Sequence, residues 1–296
     1  MSTKVWNLVE EQSKRTDTSS TEKKETYELY GSVASLYHTY RPRYPEELIV
    51  KAIDSSPLLK DKIDEHSHIL EIGCGPGTVT LQLLQRGFRI HAFDPSSDMI
   101  EQAKTVCQDF SGSVHFEIST LQSFESSDQK YDAIVAASSL HWALAEPDPI
   151  HLIQKLSNFL KPSGTLILLW NFPFQPSEAL RDVVADAIGK PKPFFFPGVG
   201  RTEDHVQQLD EKVLRPLSES KFFGPIESTR VEIEEEIAIK DFFSFLNTLS
   251  MYIKVIPADE KQHFFADAEK AILEHFGSTN LQTTRSSILN VLKKKV

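Results

Sequence analysis

The chain has 296 residues, a formal charge of −10, 40% hydrophobic and 25% charged residues, which suits a globule with one full α/β core and insertions. The acidic balance disfavours a nucleic-acid partner, which would need a basic stripe against phosphate repulsion; the one basic cluster, Lys293–Lys295, sits at the very end. No stretch approaches the ~18 apolar residues of a membrane span, the N-terminus has no apolar signal core, and Cys74 and Cys107 are too few for a disulfide framework, so a cytoplasmic protein without a bound metal is expected.

Residues 1–25, rich in Ser, Thr, Lys and Glu, are expected to form a disordered tail. The texture changes at Tyr27: Tyr27, Tyr30, Tyr37, Tyr40 and Tyr44 crowd together, and Arg41-Pro42-Arg43-Tyr44-Pro45 closes the run. The proline rules end one helix at Pro42 and start another at Glu46. Tyr27, Tyr30, Val33 and Tyr37 share the spacing of one helical face. That face either packs on a sheet or forms a lid over a ligand mouth.

An α/β alternation follows. A strand at His68–Ile72 leads to a helix at Thr78–Arg86 that stops at Gly87. A second strand, Arg89–Phe93, leads to a helix at Ser97–Phe110 capped by Ser96 or Ser97. Strands at Val114–Ile118 and Asp132–Ala137, a helix at Pro149–Leu160 and a strand at Thr165–Trp170 complete five β units. Five such strands make a doubly wound sheet with ligands at the strands' carboxyl ends. Residues 171–225 read as a long irregular, aromatic insertion, a feature commonly tied to function. Order returns with a strand at Glu227–Ile239, helices at Lys240–Lys254 and Pro257–Phe276, and a last strand at Thr283–Leu292.

The chemistry concentrates where the first two strands end. Gly73, Gly75 and Gly77 alternate through a loop in which a Cβ would obstruct a ligand lying on the backbone. Glu71 precedes the loop, and Asp94 follows Gly77 by 17 positions, where an open parallel sheet presents an acid to a ribose diol. Dinucleotide sites use G-x-G-x-x-G and receive pyrophosphate on a helix N-terminus. Here the third glycine comes one place early. Glu71 would repel pyrophosphate but suits a cationic ligand.

The run E-x-G-C-G-x-G-T at Glu71–Thr78 resembles motif I of the class I S-adenosylmethionine-dependent methyltransferases. Four segments align with that family in order: Ile69–Thr80, Ala92–Ile100, Val114–Phe124 and Tyr131–Trp170, the last including His141-Trp142 and the Lys161-Pro162-Ser163-Gly164 turn. The type 11-like subgroup around yeast trans-aconitate methyltransferase shares Y-x-x-x-R-P-x-Y-P, here Tyr37–Pro45. It also shares a helix of the form F-x-x-x-x-x-T-x-S-x-Y, here Phe242–Tyr252. The resemblance implies a Rossmann-like, doubly wound, seven-stranded α/β methyltransferase sheet over residues 26–296. Its cofactor core would span about 46–171, with helical lid or substrate insertions at 26–45, 172–225 and 240–276.

The resemblance also implies site residues. Gly73, Gly75 and Gly77 floor the methionine part of S-adenosylmethionine, and Glu71 orders that floor near the ammonium. Asp94 accepts the ribose hydroxyls, and Met99 packs on adenine. Leu121 and Gln122 stand where relatives place Ala-Glu to read the adenine edge. Ala136, just past the fourth strand, offers a carbonyl. Arg41 meets the cofactor carboxylate or an acidic substrate. His141 is the candidate catalytic base, with Tyr37, Trp142 and Tyr252 lining the substrate. Relatives carry Arg-Thr-Trp-Ser where this chain has Asn247-Thr248-Leu249-Ser250. This weakens the case for a polycarboxylate unless Lys254, Arg181 or Arg201 substitutes. The implied activity is transfer of a methyl group to a small molecule, foremost an organic-acid carboxylate, by a monomer or homodimer. N- or S-methylation, and a non-catalytic cofactor-binding regulator, stay open.

Overall fold

The computed structural model describes residues 33–60, 67–126, 130–145, 148–172, 174–189, 202–249 and 258–295. The expectations for the tail, Tyr27, Tyr30, the proline-rich run at 190–200, Arg201, Tyr252 and Lys254 lie outside the described residues. Among them, no helix is long and apolar enough to cross a membrane.

The strands are β1 (His68–Ile72), β2 (Arg89–Asp94), β3 (Val114–Ile118), β4 (Tyr131–Ala137), β5 (Leu160–Asn171), β6 (Gln175–Pro176), β7 (Glu227–Ala238) and β8 (Asn280–Lys293). Their order is β3-β2-β1-β4-β5-β8-β6, with β7 paired to β8 off that path. β1 to β5 run parallel and β8 runs antiparallel to β5. This is the expected Rossmann-like α/β sheet with an eighth, two-residue strand. Ile69, Leu70 and Ile72 of β1 are all buried, the near-continuous apolar run of a parallel strand covered on both faces. The order reverses between β1 and β4, so a crevice opens at their carboxyl ends.

The chain divides into two compact units. The larger contains Pro42–Asn171, Glu203–Val231 and Ser287–Val296. Its core joins Ile69, Val135, Ile167, Leu169 and Val291 of the sheet to Leu48 and Ile49 of the helix Glu46–Asp54 and to Val79 and Leu83 of the helix Thr78–Leu84. The helix after β2 is Ser97–Val106, and Ser96 caps it by accepting from the Met99 amide; a 3₁₀ turn at Gln108–Phe110 finishes the expected span. β5 begins earlier than expected, at Leu160. Leu160 pairs with Tyr131, and Lys161 holds the buried Asp132 at 2.8 Å, whose second donor is the His68 amide.

The smaller unit has its own aromatic core. Leu180, Val184 and Ile188 of the helix Glu178–Ile188 pack with Phe242, Phe243 and Phe245 of Ile239–Leu246 and with Ala268 and Ile272 of Ala258–Phe276. The irregular reading of 171–225 is corrected here: it contains the helices Glu178–Ile188, Thr202–Leu209 and Arg215–Glu219, the last two joined by a π turn at Asp210–Leu214. Flanking prolines masked a four-residue apolar repeat, although Ser177 is a regular N-cap and Gly189, at φ +60°, a regular C-terminal stop.

Leu289 of β8 lies opposite Leu169 of β5 and is buried. Leu289→Ala is expected to cost about 2–5 kcal/mol in urea unfolding, the range for a buried leucine. A loss below about 1 kcal/mol would contradict this register.

Candidate active site

The expected constellation forms at the carboxyl ends of β1 and β2. The loop after β1 turns back under β2: the amides of Gly73 and Cys74 both donate to the Phe93 carbonyl, at 2.8 and 3.1 Å. Gly73 and Gly75 take left-handed φ values of +64° and +53°, which L-residues reach only with strain. Their surroundings differ. A Cβ on Gly73 would lie 2.5 Å from the Ser139 Cβ, whereas one on Gly75 would meet nothing within 4 Å. Gly73 is therefore required by packing, and Gly75 leaves open space over the backbone.

Asp94 ties the two strand ends together, its Oδ2 accepting from the Gly75 amide at 3.0 Å and its Oδ1 from the Ser96 amide at 2.9 Å. Each oxygen keeps a further lone pair for a ligand hydroxyl. Burial lifts its pKa to about 6 against these two stabilising donors. Glu71 is buried completely. Its Oε2 accepts from the Thr80 hydroxyl at 2.7 Å, and its Oε1 has no hydrogen-bond partner. Burial, opposed by Thr80 and aided by the Asp94 charge, pushes its pKa to about 8. Two desolvated acids at adjoining strand ends, one with an unused oxygen, suit a ligand that brings positive charge and a diol. Burial also raises the Cys74 thiol well above its ordinary value, so Cys74 is a packing residue without nucleophilic character.

Met99 is buried in the first turn of its helix, and Leu121 is buried in the segment after β3. Gln122 is exposed, and its Nε2 donates to the Ala143 carbonyl at 3.2 Å. Ala136 does not lie past β4 but inside it, opposite Leu168. The β1 ladder nevertheless stops at Glu71–Val135, one residue before it. Ser138, the residue after β4, is a non-glycine residue at φ 52°, which marks local strain. The Tyr44 hydroxyl meets the Ser138 hydroxyl at 2.9 Å, and Asn171 at the end of β5 donates to the Pro42 carbonyl. Tyr44 belongs to the tyrosine run noted in the sequence but was not among the expected site residues. The Pro42-x-Tyr44-Pro45 spacing was the signal that it would dock on strand ends. Ile118, opposite Asp94 at the end of β3, is a large apolar side chain left 59% exposed, another feature sequence reasoning missed.

His141 and Trp142 stand on a one-turn helix, Leu140–Ala143, with ring centroids 5.1 Å apart. The His141 Nδ1 is buried without a hydrogen-bond partner, and burial, reinforced by the Lys212 charge, lowers its pKa to about 4. It is neutral near pH 7. Arg41 and Tyr37 belong to the smaller unit. There the Arg41 guanidinium sits 4.6 Å from the Tyr37 ring centroid and 5.3 Å from that of Phe245, and it donates to the Thr248 carbonyl. Its Nε is buried without a partner, and among the described residues no carboxylate pairs with it.

Residues 69–164 match the methyltransferase domain family. An uncharacterized methyltransferase of Schizosaccharomyces pombe is 24% identical over 267 residues, covering 86% of this chain and 91% of its own. One from Mycobacterium tuberculosis is 26% identical over 175 residues, or 56% of this chain; the match spans 65% of that relative's length. The malonyl-[acyl-carrier protein] O-methyltransferase of Priestia megaterium is 30% identical over 194 residues, covering 61% and 65%. Among solved structures, a candidate type II methyltransferase from Anaeromyxobacter dehalogenans superimposes with a TM-score of 0.57 at 18% identity, covering 86% of this chain and 97% of that one. The [4+2]-cyclase SpnF does so with a TM-score of 0.50 at 16% identity, covering 93% and 97%.

The two glycines separate packing from ligand access. Gly73→Ala is expected to destabilise the protein by about 2–5 kcal/mol through overpacking and backbone strain together. Gly75→Ala should cost only about 1–2 kcal/mol yet weaken cofactor binding in a calorimetric titration; unchanged affinity would count against the loop as the floor of the site. Glu71 sets a pH dependence. The folded state keeps its proton to about pH 8 whereas the unfolded chain loses it near 4.5, so stability falls as pH rises between those values. Asp94 acts in the same sense only up to about 6, and His141 in the opposite sense up to its ordinary 6.5. From about pH 6.5 to 8, wild-type protein should therefore lose up to about 2 kcal/mol relative to Glu71→Gln. Parallel denaturation curves for the two would refute the assignment.

Proposed function

We propose that this chain, which carries a class I S-adenosylmethionine-dependent methyltransferase domain, transfers a methyl group to a carboxylate oxygen of a small organic acid. The carrying observation is the pair of desolvated acids at the ends of β1 and β2, with open space above Gly75. S-adenosylmethionine, when bound, supplies an electrophilic methyl on a cationic sulfur. Asp94 would hold the ribose diol, and Glu71 would balance positive charge beside the Gly73–Gly77 floor. Met99, Leu121 and Ile118 offer apolar surface to adenine, with Gln122 and the Ala136 carbonyl as polar contacts. The residues contribute alignment and exclusion of water, and alignment alone is worth several kcal/mol of barrier.

Two observations support an already ionised acceptor. A carboxylate, with a pKa near ~4, needs no base at neutral pH. His141 is a poor base because burial depresses its pKa to about 4. Its unpartnered Nδ1 and the neighbouring Trp142 ring would instead position the acid. Arg41, a cation without a carboxylate partner among the described residues, is the group proposed to recognise a carboxylate, its guanidinium resting on the Tyr37 ring. Relatives named as O-methyltransferases, from Priestia megaterium and Coxiella burnetii, favour oxygen as the acceptor atom. The formal charge of −10 favours a small molecule over nucleic acid.

Asp94→Asn keeps one acceptor oxygen, enough for the Gly75 or the Ser96 amide but not for both. It should lower S-adenosylmethionine affinity by about tenfold or more, the worth of a hydrogen bond to a charged group, with the protein still folded. Unaltered affinity would remove Asp94 from the site. A panel of carboxylic acids and amines incubated with methyl-labelled donor identifies the acceptor, and labelled ester is the expected product. With that acid, His141→Ala should reduce kcat by less than about tenfold, whereas losing a general base costs about 10²–10⁴-fold. A loss in the latter range, with a rate that titrates, would point to an amine or hydroxyl acceptor.

A further inference from the structure

Away from the strand ends, on the β2–β3 flank of the sheet, three side chains with metal-binding atoms converge. His91 of β2 lies directly opposite His115 of β3, and Glu117 follows two residues along β3 on the same face. The His91 and His115 rings meet edge to face with centroids 4.9 Å apart. The His91 Nε2 stands 3.5 Å from the Glu117 Oε2. One ligand atom from each of the three lies within 4.8 Å of the other two, and among the described residues no other such group of three occurs.

We infer that His91, His115 and Glu117 bind a borderline divalent transition metal of the zinc type, bracing the edge strand β3 against β2. Two imidazoles and a carboxylate are a zinc donor set, and hard cations such as magnesium prefer all-oxygen ligands. Bonds of roughly 2.0–2.2 Å in a tetrahedron place ligand atoms roughly 3.4 Å apart. The His91–Glu117 separation already matches this, and the exposed His115 closes the remainder by rotation about its side chain. A water would complete the coordination.

The surroundings support that role. The His91 Nε2 is buried and its nearest acceptor is the Glu117 Oε2 at a long 3.5 Å, a poorly satisfied position that a metal bond would satisfy. Its Nδ1 is held by the Tyr131 hydroxyl at 2.7 Å, and Tyr131 is fully buried. In the tautomer that a metal on Nε2 selects, the Nδ1–H would donate to the tyrosine oxygen, which is how a metal-ligating histidine is oriented. Phe124, 5.1 Å from the His91 ring and stacked on Phe93 at 4.6 Å, walls the inner side. His91 precedes Asp94 by three residues on β2, roughly 10 Å along the strand, so the metal has no part in methyl transfer and the inference does not rest on that reading.

The test uses the full chain, stripped of metal by a chelator and dialysed. Zinc chloride is titrated calorimetrically, and cobalt chloride is followed by visible absorption. One equivalent should bind, cobalt should show the intense d–d bands of a near-tetrahedral site, and zinc should raise the melting temperature. His91→Ala risks the fold through Tyr131, so the deciding variants are His115→Ala at an exposed position and Glu117→Gln at a half-buried one. Both should keep the metal-free melting temperature, lose affinity by about tenfold or more and lose the thermal shift. Absence of zinc binding by the wild type, or equal binding by His115→Ala, would overturn the inference.

Discussion

Two carboxylates that cannot be comfortably ionised sit where β1 and β2 end, and the surrounding structure follows from that constraint. Glu71 has one hydroxyl donor and one bare oxygen. Asp94 is stabilised by two backbone amides but is still pushed toward neutrality by burial. A protein gains nothing in stability from burying unpaired acids. Their placement beside a loop of left-handed glycines makes sense as preparation for a cationic ligand that restores the missing charge balance.

The loop and the neighbouring strand ends are arranged around this pair. Gly73 is wedged against Ser139, whose hydroxyl donates to the Ile72 carbonyl, so the end of β4 fixes the start of the loop. Ser138, held in a strained conformation, is pinned by Tyr44 and by its own amide to Leu169. Strain gathered at strand ends is typical of sites that must be rigid before the ligand arrives. The fold does not dictate the reaction: the same architecture carries a [4+2]-cyclase, and the functional reading rests on the residues at the strand ends.

Much of this was legible in the sequence. The strand bounds of β1 and β3, the Ser96 cap and the acid–glycine–acid spacing follow from local rules that tertiary packing did not override. Other features were not legible, for identifiable reasons. The helix Glu178–Ile188 was hidden between prolines. Lys161 and its neighbours read as a turn because the Asp132 partner that draws them into β5 is distant in sequence. Ala136 was expected just past the fourth strand but lies inside it, because β4 keeps its β5 partner through Ala137 after the β1 ladder stops at Val135. The His91, His115 and Glu117 cluster depends on a cross-strand register that no local pattern encodes.

The most direct test of the central claim is proton linkage. S-adenosylmethionine is titrated calorimetrically at about pH 7.5 in two buffers of different ionisation enthalpy. Glu71, with a pKa of about 8 in the free protein, is still largely protonated there. A cation settling beside it should lower that value and expel a net amount on the order of half a proton or more. Buffer-dependent heats with proton release are the expected result. Heats that are equal in the two buffers, or that report proton uptake, would contradict a cationic donor seated against the buried acids.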